Sequence, residues 1–67
     1  MWYLYLCNRN GHLYTGITTD LDHRMVQHQA KLLYQETFDD KFDAAKRERE
    51  IKGWSRKKKD ALVESRR

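Results

Sequence analysis

Five residues could carry chemistry in this 67-residue chain: Tyr5, Tyr14, Arg24, His28 and Glu48. Two phenols can relay protons. A guanidinium and an imidazole can grip and neutralise a phosphate oxygen, and a carboxylate can hold a hard cation. By residue type the set suits phosphodiester chemistry, and each member also has a plainer use. Tyrosines pack beneath helices with their hydroxyls reaching solvent. Arg24 and His28, four apart, make an ordinary pair on a helix surface. Glu48 can close a salt bridge to an arginine at the core edge, with Arg24 as one candidate.

What decides is the set of elements that must position them. Residues 2–7 alternate as a strand, with Trp2, Leu4 and Leu6 on one face and Tyr3, Tyr5 and Cys7 on the other. Asn10-Gly11 is a strong hairpin signal, because a type I′ turn needs positive φ at both central residues. The return strand runs from His12 to Ile17. A two-residue loop sets Arg9 opposite His12, Cys7 opposite Tyr14 and Tyr5 opposite Gly16. Tyr5 and Tyr14 then share a face on diagonal positions, and Gly16 leaves room beside them. Leu13 and Ile17 join the opposite, aliphatic face.

Asp20 to about Gln29 reads as a helix with Leu21 and Met25 as its apolar stripe. Arg24 and His28 stand beside that stripe. Residues 32–37 read as a third strand. Asp39 or Asp40 caps a second helix running through Lys52, with Gly53 as its stop. Phe42, Ala45, Glu48 and Ile51 recur along it as the expected buried stripe. A glutamate in such a stripe is notable, because buried glutamates are paired or bind a metal. Ser55 caps a third helix to about Glu64, burying Ala61, Leu62 and Trp54. The order β-β-α-β-α-α predicts one α+β domain over 1–67, a three-stranded antiparallel sheet flanked by helices.

Charge is uneven. The chain carries 14 Lys+Arg against 10 Asp+Glu, a net +4. Residues 1–38 balance, so the excess lies in 39–67, densest at 56–59 and at Arg66-Arg67. Lys52, Arg56, Lys57, Lys58 and Lys59 are the candidate nucleic-acid contacts; the alternative is a solvated helix face. The single cysteine, Cys7, makes no internal disulfide and fits a small strand residue in a reducing compartment. No apolar run is long enough for a membrane span and no signal peptide is evident, so the cytoplasm is the expected location.

These residues in this order resemble the GIY-YIG nuclease superfamily, above all its small stand-alone bacterial members. Tyr3-Leu4-Tyr5 stands at the first tripeptide and Tyr14-Thr15-Gly16 at the second. TGITTDLDHRMVQHQ carries the family's Leu, Arg and His as Leu21, Arg24 and His28. AAKREREIKGWSRKKKDALVE carries its glutamate as Glu48 and a Lys-Gly-Trp turn at residues 52–54. The resemblance implies Tyr5 as general base or proton relay, supported by Tyr14. It implies Arg24 stabilising phosphate charge, His28 assisting proton transfer or positioning the phosphate, and Glu48 holding one Mg2+ (or Mn2+). A free phenol ionises near pH 10, so a basic Tyr5 calls for cationic neighbours.

The implied activity is metal-dependent DNA endonuclease cleavage of low sequence specificity, in repair, recombination or removal of foreign DNA. The alternatives are a nucleic-acid-binding module without turnover and, more remotely, an adaptor whose basic helix binds an acidic partner. One departure stands out. Related proteins carry a Gly-rich, basic loop of about a dozen residues between the His helix and the third strand, a length often functional. Here only Gln29, Ala30 and Lys31 separate His28 from Leu32. So short a hinge allows either a monomer or a domain-swapped homodimer.

Overall fold

A computed structural model describes residues 1–65; the Arg66-Arg67 pair of the basic excess lies outside the described residues. The element order is β1 (Trp2–Arg9), β2 (His12–Thr18), α1 (Leu21–His28), β3 (Lys31–Phe38), α2 (Lys41–Lys52) and α3 (Arg56–Glu64). The sheet is antiparallel with β1 central, in the order β2-β1-β3.

The hairpin has the expected register: Arg9 opposite His12, Cys7 opposite Tyr14, Tyr5 opposite Gly16. Asn10 and Gly11 hold φ of 54° and 82°, as a type I′ turn requires. The Asn8 side chain accepts from the Gly11 N–H at 3.0 Å, tightening the turn. On the other side of β1 the register slips between Leu6 and Cys7, which face Tyr34 and Leu32, leaving Leu33 as the extra residue of a bulge.

Each helix begins at a side-chain cap. Asp20 accepts from the His23 N–H at 3.1 Å, Asp40 from Phe42 at 2.6 Å, and Ser55 from Lys58 at 3.2 Å. The second helix ends at Gly53, whose φ of −80° is ordinary right-handed backbone. The left-handed residue is instead Gln29, φ 52°, closing α1.

Alternation along β1 divides the core in two. Leu4 and Leu6 pack with Tyr34, Ile51 and Val63 beneath α2 and α3. Tyr5 and Cys7 pack with Leu21 beneath α1. The stripe expected on α2 needs correction. Ala44 and Ile51 are fully buried, whereas Phe42 is 85% exposed. Phe42 lies in the first turn of α2, ahead of the part that meets the sheet. On α3 it is Val63 that is buried and Ala61 that faces solvent.

A polar cluster ties α2 to β3. Glu36, opposite Leu4, points into the leucine face. There it accepts from Arg47 Nε and Nη2 at 3.1 Å each and from the Tyr34 hydroxyl. Arg47 also lies 5.2 Å from the centre of the Trp54 ring. Among the described residues no helix is long and apolar enough to cross a membrane.

Candidate active site

Tyr5 sits on the central strand, buried, and its ring lies across Gly16 of the edge strand β2. A Cβ added to Gly16 would lie 2.5 Å from the Tyr5 hydroxyl oxygen and 2.7 Å from the ring carbon that bears it. The glycine is therefore what lets this phenol reach the sheet edge. Tyr14, on the same face, is half-exposed.

Tyr5, Tyr14 and His28 line one cleft of about 320 Å³, together with Cys7, Arg9 and Ala30. They come from three parts of the chain. The β1–β2 hairpin supplies the tyrosines and Arg9, the last residue of α1 is His28, and Ala30 lies in the α1–β3 connection.

Arg24 and Glu48 do not line that cleft, yet both act electrically on Tyr5. Burial pushes the Tyr5 hydroxyl above its ordinary value; Arg24 pulls it down, while Cys7 and Glu48 push it up. Arg24 comes from α1, which covers the Tyr5 face. Glu48 comes from α2, which packs across β1 and β2 from the opposite face. Burial outweighs the pull of Arg24, so the protein alone leaves the hydroxyl above its ordinary value. The Cys7 thiol beside it is also raised by burial.

Glu48 is half-buried, and its partner is Lys52 at 3.4 Å rather than Arg24. Lysine here is tethered to the acid that the resemblance marks for metal. Among the described residues no three His, Cys, Asp or Glu side chains form a preformed metal cage. One carboxylate completed by water and phosphate oxygens is nonetheless ordinary magnesium coordination. The donor set therefore fits an ion that arrives with a phosphate.

The basic candidates lie elsewhere. The third helix packs on β3, beneath the leucine face, whereas the cleft opens on the Tyr5 face beside β2. Arg56 is paired with Asp60 at 3.2 Å and Lys58 covers the Trp54 ring at 4.4 Å. Lys57 is exposed and Lys59 half-exposed.

Sequence reasoning did not assign Arg9 to the site, because a residue beside a turn gives no periodic signal. It also missed the Glu36–Arg47 pair, whose members are eleven apart and meet only through the β3–α2 packing.

Known proteins place this architecture. A model of the GIY-YIG catalytic domain matches residues 1–32. UPF0213 protein SSP2268 of Staphylococcus saprophyticus is 39% identical, with 91% of this chain and 92% of that protein covered. UPF0213 protein SH2523 of Staphylococcus haemolyticus is 38% identical over 96% and 93%. The solution NMR structure of UPF0213 protein BH0048 from Bacillus halodurans superposes with a TM-score of 0.68 at 33% identity, covering 96% of this chain and 84% of that one. The chain belongs to this UPF0213 group of small GIY-YIG-type proteins.

The alignment with SSP2268 runs over 75 residues, yet 91% of 67 residues is about 61, leaving about 14 residues of the relative without a counterpart here. The family match stops at Leu32, the second residue of β3. In this chain His28 and β3 are bridged by Gln29 and Ala30 alone. Within this structure β3 still pairs with β1 of its own chain.

Proposed function

We propose that this chain is a divalent-metal-dependent endonuclease that hydrolyses DNA phosphodiester bonds with little sequence specificity. The observation that carries the reading is the single cleft that brings Tyr5, Tyr14 and His28 together, at whose Tyr5 hydroxyl the charges of Arg24 and Glu48 are also felt. Membership of a GIY-YIG-type family supports the reaction class.

The chemistry follows from the residues. A phosphodiester bound against Arg24 has its negative charge offset as the phosphorus becomes five-coordinate. Tyr5 is protonated at neutral pH, since burial raises its pKa. It therefore acts as a relay rather than a standing phenolate. It accepts a hydrogen bond from the attacking water while its own proton passes toward His28, which lines the same cleft. Tyr14 orients that water from the half-exposed side. The water oxygen bonds to phosphorus, one P–O bond breaks, and the leaving oxygen takes up a proton. A single magnesium or manganese ion held by Glu48, water and a phosphate oxygen would supply charge stabilisation at that leaving oxygen. Arg56, Lys57, Lys58 and Lys59 make backbone contacts away from the cleft, and Lys52 does so beside Glu48, its partner at 3.4 Å.

A second reading, a binding module without turnover, is favoured by the short α1–β3 connection. Nicking of supercoiled plasmid and of branched DNA, with and without magnesium, separates the two. Magnesium-dependent nicking abolished by Glu48→Ala and by Tyr5→Phe supports the nuclease. Absence of nicking with salt-sensitive binding retained supports the module.

A further inference from the structure

The shortened connection changes what stands around the cleft. Between α1 and β3 this chain has only Gln29, in a left-handed turn, and Ala30, as part of the cleft wall. The cleft is thus bordered on that side by small backbone. Its remaining rim holds one cation that no role above uses. Arg9 ends β1, is exposed, and lines the cleft with Tyr14 and His28. It takes part in none of the salt bridges among the described residues. Its strand partner is His12, which offers no fixed negative charge. An unpaired guanidinium on the rim of a cleft beside a phosphodiester site is placed to bind a second phosphate, and its planar fork favours bidentate contact.

We infer that Arg9 binds the backbone phosphate next to the scissile one, and that the open cleft between the hairpin and Ala30 receives the intervening nucleotide. This rests on the reading of the Tyr5 cleft as the phosphodiester site. Half-exposed Tyr14 offers its ring to that nucleotide.

The test is binding of a fluorescently labelled DNA oligonucleotide in EDTA across a salt series, so that turnover plays no part. Arg9→Gln should weaken binding on the order of five-fold at low salt and flatten the log Kd against log salt slope by about 0.9, one phosphate contact. Arg9→Lys should keep the slope. Because Arg9 is exposed, the urea midpoint should not move. An Arg9→Gln protein with the wild-type slope overturns the inference, whatever happens to cleavage. A reduced slope in a protein that never nicks DNA keeps Arg9 as a phosphate contact of this cleft and discards the nuclease reading alone.

Discussion

The Tyr5 ring crosses Gly16 so closely that even a methyl group there would lie 2.5 Å from the phenol oxygen. The second tripeptide's glycine is therefore a steric requirement of the first tripeptide's tyrosine. Gly16→Ala must displace Tyr5, since that ring is buried and cannot swing freely into solvent. We expect a loss of about 1–3 kcal/mol from overpacking, read by urea unfolding, and a loss of nicking larger than that instability explains.

Glu36 and Arg47 hold α2, and with it Glu48, against β3. Their side chains are 20% and 26% exposed, so the pair is only partly screened. Glu36→Gln should cost about 1.5–3 kcal/mol, the range for a hydrogen bond to a charged group. Trp54 fluorescence should change as well, because Arg47 stacks on that ring. Replacing both residues by leucine should recover much of the loss.

Gln29 holds φ 52° to turn the chain from α1 into β3. Gln29→Gly removes the steric penalty of the left-handed region at a helix C-terminus. Net of the added flexibility of the unfolded chain, it should stabilise by about 0.5–1 kcal/mol, measured as a higher urea midpoint.

Tyr5, Tyr34 and Cys7 all have raised pKa values, with burial as the leading cause in each. The folded state holds these protons more tightly than the unfolded state. Their contribution is fully present below the unfolded values of 9.0 for the thiol and 10.0 for the phenols, and is lost as pH rises through the folded ones. Stability in urea should fall steeply above pH 9, and Tyr34→Phe should soften that fall.

The hairpin was fully legible because two local signals agree: strict alternation along residues 2–7 and a turn dipeptide with positive φ. Ser55 was legible as a cap, whereas the choice of Asp40 over Asp39 had to be read from the structure. Long-range packing was not legible. Phe42 has the right spacing for a buried stripe and is exposed, because α2 meets the sheet only after its first turn. Glu36 looks like a surface position in an alternating strand, yet it faces leucines and needs Arg47. The bulge at Leu33 likewise arises from the fit of β3 to β1. For the candidate site, residue types and the family resemblance named Tyr5, Tyr14, Arg24, His28 and Glu48, while the balance of burial against charge at Tyr5 required the three-dimensional surroundings.

The central claim is that Arg24 and Glu48, from opposite faces of the sheet, act on one phenol. Titration of the Tyr5 hydroxyl by NMR, with 13C-labelled tyrosine, reads this directly. In the unaltered protein Tyr5 should ionise above 10. Arg24→Met should raise it further, and Glu48→Gln should lower it. A Tyr5 titration that neither substitution moves would mean that the three residues do not share a site.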